Sequence, residues 1–151
     1  MESKKVIQVS FVILIVESAI ALLYGFGAFI MPELLTARSF LLYTGQPWDS
    51  LLNENPEIAN YIMILEGAAG GLGVTATLAN LFVLLTGFRK GEKWAWFFVL
   101  VVSIIGWGSD LITNILLKNP LSVIIISGGM FLLIAALIIS AKTFLVDKGS
   151  L

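Results

Sequence analysis

The chain has 151 residues, of which 58% are hydrophobic and 13% are charged, and this composition excludes an ordinary soluble domain and is typical of an integral membrane protein. Its nine basic and ten acidic residues nearly balance and give a net charge of −1. The chain therefore lacks the excess of positive charge that binds nucleic acid, and we expect no nucleic-acid partner. Because there is no cysteine and no histidine, the chain also excludes disulfides, iron–sulfur clusters held by thiolates, histidine-ligated haem and the usual zinc or copper sites, so we expect no cofactor and no metal.

The apolar residues form four continuous segments, at about 6–31, 58–88, 94–117 and 121–144. Each segment exceeds the roughly 20 residues that an α-helix needs to cross the hydrocarbon core of a bilayer. Membrane strands would be about 10 residues long with alternating polarity, a pattern that is absent here. The sequence therefore predicts an all-α, polytopic membrane protein, a four-transmembrane-helix bundle that forms a single domain over residues 1–151.

The first segment begins after Lys4 and Lys5 and could be mistaken for a secretory signal. Its apolar run is roughly twice as long as a signal core and contains Glu17, with no small-x-small cleavage site at its end. We therefore predict that it remains as the first membrane helix. One face of this helix carries polar and small residues at spacings of 7, 4 and 3: Ser10, Glu17, Ala21 and Tyr24.

Residues 32–57 form the predicted outer loop, whose acidic residues outnumber its single basic residue, Arg38. The stretch "PELLTARSFLLY" predicts a short surface helix, and "TGQPWDSLLNENPE" predicts turns and caps. Asn55 before Pro56 is a plausible start of the second membrane helix. A solvated connector and a lid over an outward-facing pocket both fit this composition.

The second segment contains the glycine-rich stretch "ILEGAAGGLGVTATLAN". A phosphate-binding loop would follow a β-strand and open a helix, whereas these glycines lie inside an apolar segment, so we predict a helix with two small faces. A polar face, at spacings of 4, 3, 4 and 3, is formed by Glu66, Gly70, Gly73, Thr77 and Asn80. A helix-packing face, at spacings of four, is formed by Gly67, Gly71 and Thr75.

The third segment is entered through "GFRKGEKW", where Trp94 and Trp96 suit the headgroup zone of a membrane. Asn119-Pro120 breaks this helix, and Pro120 suits the first turn of the fourth. The fourth segment adds the small residues 127–129. A polar face of the third helix, at spacings of 3, 4 and 4, is formed by Ser103, Gly106, Asp110 and Asn114.

Basic residues near helix ends predict the topology. Seven of the nine lie at the N-terminal end, in the turn at 89–93 and in the tail with Lys142 and Lys148, whereas Arg38 and Lys118 lie on the other side. We therefore predict that both termini are cytoplasmic, that loop 32–57 is outside, and that the protein is a multi-pass protein of the plasma (inner) membrane.

Three carboxylates, Glu17, Glu66 and Asp110, lie deep within apolar segments, where insertion costs at least about 2.5 kcal/mol each. Glu66 and Asp110 lie at similar distances from the outer ends of their helices, so we expect them at the same depth. The sequence predicts an outward-facing pocket lined by Glu17, Glu66, Asp110, Asn114, Trp107 and Tyr24. The alternative is a purely structural role, in which these side chains only form hydrogen bonds between helices.

Carboxylates without histidine can carry protons, bind hard cations or pair with an organic cation, and Trp107 and Tyr24 could add cation–π contacts. These residues favour a proton-coupled carrier or a bundle that binds hydrophobic or cationic small molecules. The commonest general base and every Ser-His or Cys-His pair are missing, so we expect no enzymatic activity. An enzyme that modifies a lipid or sterol through carboxylates as acid and base is a less favoured alternative.

Two resemblances to known families add to this interpretation. Glu17 in the first helix is similar to the essential membrane glutamate of the small multidrug-resistance exporters, although loop 32–57 is longer than theirs. The stretches "ALLYGFGAFIMPELL", "EGAAGGLG" and "GFRKGEKWAW" resemble the DoxX-like proteins and related uncharacterised four-helix families. That resemblance implies a small tetraspan protein, sometimes an accessory partner of a larger enzyme, and implies no catalytic residues.

The function that the sequence favours is a non-enzymatic accessory or structural subunit. The chain has little soluble mass, and it has glycine-rich faces on more helices than a four-helix core needs. We expect it to associate, through these faces, with itself or with other membrane subunits in the lipid bilayer. The carrier or binding bundle remains the alternative.

Overall fold

The computed structural model describes the backbone of residues 2–145 and the side chains of residues 4–145; Lys148 and the predicted position of the C-terminus lie outside this range. Every regular element in the described part of the chain is helical. The six α-helices are α1 (Glu2–Ile30), α2 (Pro32–Thr44), α3 (Trp48–Glu54), α4 (Pro56–Thr86), α5 (Lys93–Leu116) and α6 (Pro120–Leu145), with a 3-10 turn, Phe88–Lys90, between α4 and α5.

Four helices, α1, α4, α5 and α6, are long and apolar enough to cross a membrane, which confirms the prediction of an all-α protein with four candidate membrane spans. They form a ring in which each packs on two neighbours, in the order α1, α4, α5, α6 and back to α1. Within residues 2–145 the backbones of diagonal partners do not touch. Contacts of Ser18 with Asn80 and of Ala28 with Gly70 make α1 and α4 antiparallel.

Three of the helices, α2, α4 and α6, begin with a proline. Proline has no backbone N–H, but the N–H of the first helical residue has no partner within the helix, so no hydrogen bond is lost there. Pro56 starts α4 directly after Asn55, which forms no side-chain cap hydrogen bond. Pro120 starts α6, and Asn119 Oδ1 accepts a hydrogen bond from the Ser122 N–H at 3.3 Å. The tight turn between α5 and α6 is thereby fixed.

The segment between α1 and α4 contains two helices rather than one. Besides α2, the structure has α3, in a stretch for which the sequence predicted only turns and caps. The buried Trp48 of α3 packs edge-on against Phe40 of α2, with ring centres 5.3 Å apart. The Lys118 ammonium lies 5.7 Å from the centre of the Tyr43 ring, so the end of α2 reaches the α5–α6 turn. We call this end of the bundle the loop end.

The hydrophobic core is concentrated at the opposite end, which carries Lys4, Lys5, the α4–α5 turn and Lys142 and which we call the basic end. Its buried side chains come from the first half of α1, the end of α4, the 3-10 turn, the start of α5 and the second half of α6: Leu14, Val83, Leu84, Phe88, Ala95, Trp96, Val99, Leu133, Ala136, Leu137 and Phe144. Trp96, predicted at the headgroup zone, is in this core and donates to the Leu137 carbonyl at 3.2 Å. Trp94 is exposed and donates to Glu92.

Candidate functional site

The interior of the bundle opens toward the loop end, as the inward face of α1 indicates. Ser10, Glu17 and Tyr24 follow one another at seven-residue steps and therefore lie on one face of the helix. Ser10 and Glu17 are buried, with 0% and 6% exposure, whereas Tyr24 is 50% exposed. The space in front of this face is therefore filled beside Glu17 and open beside Tyr24, seven residues nearer the loop end.

The same change occurs on α4 and α5. On α4, Asn80 is buried, and Gly73, seven residues nearer the loop end, is exposed. On α5, Ser103 is buried, and Asp110, seven residues nearer the loop end, is exposed. Contact between α4 and α5 is also the least extensive in the ring of four helices. We use the name crevice for the region between α1, α4 and α5 that these exposed residues outline toward the loop end, with Tyr24, Glu66 and Asp110 at its outer level and the buried Glu17 deeper in the bundle.

The three groups at the mouth come from three different helices and face one space. Glu66 and Asp110 lie near enough to each other, and to the Tyr24 hydroxyl, for charges on these groups to interact. The membrane spans at 6–30, 56–86 and 94–116 contain no lysine and no arginine. These stretches of α1, α4 and α5 therefore bring carboxylates to the crevice without a basic side chain of their own, whereas Lys118 lies just beyond α5 at the same end of the bundle. Grouped carboxylates attract cations.

Glu17 is the most buried acidic residue of the predicted site. The Trp107 indole, on the diagonal helix α5, lies beside its carboxyl group. Its second oxygen, Oε2, is buried and has no hydrogen-bond partner among the described residues. Buried polar atoms are nearly always paired, so the unpaired Oε2 atom is an exception in the described part of the protein, as is the Ser10 hydroxyl on the same face of α1.

A glycine on α6 makes room for the indole that faces Glu17. A Cβ atom at Gly129 would lie only 2.8 Å from the Trp107 ring, whereas one at the neighbouring Gly128 would meet nothing within 4 Å. The sequence singled out residues 127–129 as small but gave no indication of this contact, because it joins residues 22 positions apart. Gly129 thus seats Trp107 in its position across the bundle.

A second polar contact at the base of the crevice was missed by sequence reasoning. The Asn80 amide donates to the Ser18 hydroxyl at 3.3 Å and joins α4 to α1, while Asn80 Oδ1 has no partner among the described residues. Asn80 belongs to the predicted polar face, but Ser18 belongs to no predicted stripe. The position of Ser18 directly after Glu17 was the one available hint.

Not every predicted residue joins the crevice. Asn114 is buried, and its amide donates to the Asp110 carbonyl of its own helix at 3.0 Å. Of the predicted packing residues, Gly71 lies against the Phe29 ring, and Thr75 is exposed and donates to the Gly71 carbonyl. Of the glycines on α1 and α4, the one packed most tightly against the other helix is Gly70, which the sequence placed on the polar face.

The described residues contain no group of three or more acidic side chains arranged to hold a metal ion. No protein-family model matches the chain, and comparisons with curated proteins and with solved structures find no match. The resemblance to the DoxX-like proteins therefore stays a prediction, and function is argued from the chain's own residues.

Proposed function

We propose that this small integral membrane protein binds a cationic, partly apolar small molecule in the crevice and exchanges it for protons, as a proton-coupled carrier does. The observation that carries the proposal is the convergence of Tyr24, Glu66 and Asp110 from three helices above the buried Glu17, in stretches of those helices that contain no lysine or arginine. In this proposal the basic end faces the cytoplasm and the crevice opens to the outside.

The chemistry of the crevice suits a lipophilic cation. Two unit charges 4 Å apart attract each other by about 4 kcal/mol at an effective dielectric constant of 20, so one pairing contributes strongly to affinity. The Tyr24 ring at the mouth and the Trp107 ring at the base offer faces for cation–π contact. A carboxylate holds either its proton or the cation, so binding releases protons and weakens as the pH falls.

The test measures binding of tetraphenylphosphonium, a cation whose charge does not titrate, to the purified protein in neutral detergent micelles by equilibrium dialysis. We expect the double variant Glu66→Gln/Asp110→Asn to bind at least tenfold more weakly, because amides keep the shape of both side chains and remove both charges. Glu57→Gln is the matched control, since this exposed acid lies on the same helix outside the crevice. The control should change affinity less than twofold.

Two results would contradict the proposal. One is an equal loss of affinity in the double variant and in Glu57→Gln, which would trace binding to the general negative charge of the protein. The other is equally tight binding of triphenylphosphine oxide, an uncharged compound of similar shape. Either result would leave the carboxylates without a role in recognition.

A second candidate function is assembly with further copies or other membrane subunits, which is compatible with cation binding. Two open glycines favour this function: among the described residues, a Cβ atom at Gly106 on α5 or at Gly128 on α6 would meet nothing within 4 Å. Small residues on an open helix face let another helix approach closely.

To test this second candidate, the protein is extracted from native membranes in mild detergent, and native mass spectrometry measures the mass of the extracted species. We expect a mass above that of the 16.4 kDa monomer. Gly106→Leu should shift most of the protein to the monomer, whereas Ile105→Leu, a volume-conserving change at the exposed neighbouring residue, should not. A wild-type chain that always runs as a monomer would exclude assembly.

A further inference from the structure

A cavity of about 590 Å³ lies at the basic end and shares no lining residue with the crevice. It is bounded by the start of α1, the α4–α5 turn and the end of α6. Three of its lining residues are basic, Lys4, Arg89 and Lys90, and none of its eight lining residues is acidic. The cavity therefore concentrates positive charge at one end of the membrane spans.

The other wall of the cavity is apolar and is formed by Ile7, Phe11 and Val12 of α1. These residues follow Lys4 along the helix toward the middle of the bilayer, so the basic groups lie at the membrane surface and the apolar ones below them. The Arg89 guanidinium lies 6.0 Å from the centre of the Phe11 ring and links the two regions. Charge and apolar surface are thus arranged in the order of a lipid headgroup and its acyl chain.

We propose that this cavity binds one anionic phospholipid of the adjoining leaflet. Its phosphate contacts Arg89, Lys90 and Lys4, and the upper part of an acyl chain lies along Phe11 and Val12. Arginine and lysine donate charge-assisted hydrogen bonds to phosphate oxygens, and basic pockets between membrane helices are suited to anionic headgroups. Gln8 and Thr143 line the same cavity and offer uncharged donors.

The depth of the neighbouring residues supports a lipid rather than a soluble anion as the occupant. Trp94 follows the same turn, is exposed and donates to Glu92, the arrangement of an indole at the level of lipid headgroups. A soluble phosphate ester would gain nothing from the apolar wall, whereas a phospholipid covers both regions at once. Each basic residue near a membrane surface adds to the attraction of anionic lipid.

The test adds phosphatidylglycerol or phosphatidylcholine with identical acyl chains to the full-length protein in neutral detergent, and native mass spectrometry counts bound lipids. We expect one phosphatidylglycerol to bind at least tenfold more tightly than phosphatidylcholine. The variant Arg89→Gln/Lys90→Gln should lose most of this preference. The matched control Lys93→Gln/Lys142→Gln removes two exposed basic residues at the same end that do not line the cavity, and it should keep the preference.

Three outcomes would overturn the proposal: equal binding of the two lipids, equal losses in both double variants, or displacement of phosphatidylglycerol by millimolar glycerol phosphate, which would assign the site to a soluble phosphate. Circular dichroism checks that each variant is folded. If Arg89→Gln/Lys90→Gln does not fold, Lys4→Gln near the start of α1 replaces it, with an expected threefold loss of affinity. No loss in Lys4→Gln would count against the site.

Discussion

Replacing Gly70 by alanine is expected to destabilise the bundle by about 3 kcal/mol, the upper end of the usual cost of overpacking. A Cβ atom at this position would lie 2.5 Å from the Phe29 backbone nitrogen and 2.7 Å from the Ala28 carbonyl carbon. These are backbone atoms, so no side-chain rotation can relieve the clash. The helices α1 and α4 have to move apart, and the contacts along their interface weaken.

Gly73→Ala is the matched control for this prediction. It lies one turn further along α4, and its Cβ atom would meet nothing within 4 Å. Both changes gain the same intrinsic helix propensity, up to about 1 kcal/mol, so they differ in the clash alone. Unfolding in mixed micelles with increasing denaturing detergent measures the stability of each variant. Equal stabilities of the two variants would mean that α1 and α4 do not touch at Gly70.

The second large effect is expected for Glu17→Gln. We expect it to weaken tetraphenylphosphonium binding about 100-fold, or about 2.8 kcal/mol, because Glu17 is the acid with the least water around it to screen its charge. Glutamine retains an oxygen that can accept from the Trp107 indole, so the local structure is preserved. Glu33→Gln, an exposed acid at the loop end, is the control and should bind normally.

Proton release separates the role of Glu17 in exchange from a structural role. In weakly buffered solution, the wild-type protein should release protons when tetraphenylphosphonium binds, and its affinity should fall as the pH is lowered. Glu17→Gln should release fewer protons and show a shallower pH dependence. If it releases as many protons as the wild type, Glu17 takes no part in the exchange, and the carboxylates at the mouth carry it alone.

The stability and binding predictions are connected through the packing of the basic half of the bundle. Large apolar side chains fill the interior there, and small or polar residues leave it open toward the loop end. The filled half supplies the rigidity that keeps carboxylates of different helices in register across an open crevice. A variant that separates α1 from α4 should therefore also weaken cation binding.

The fold class and the four membrane helices could be predicted from the sequence because they follow from local properties. Length and continuous apolarity alone decide that a segment can cross a bilayer, and proline and asparagine at positions 55–56 and 119–120 mark where helices begin. The candidate acids could also be named in advance, since an ionisable residue inside an apolar segment is costly wherever its helix packs.

The tertiary structure decided which faces meet, because helical periodicity places residues on a face without saying which neighbour that face contacts. It put Gly70 at the contact with α1, brought Asn80 to Ser18, seated Trp107 on Gly129 and left Asn114 bonded within its own helix. It also turned Trp96 into the core, although the sequence analysis placed Trp94 and Trp96 together at the headgroup zone. Depth and pairing depend on the tilt and rotation of whole helices, which are set by packing between segments distant in sequence.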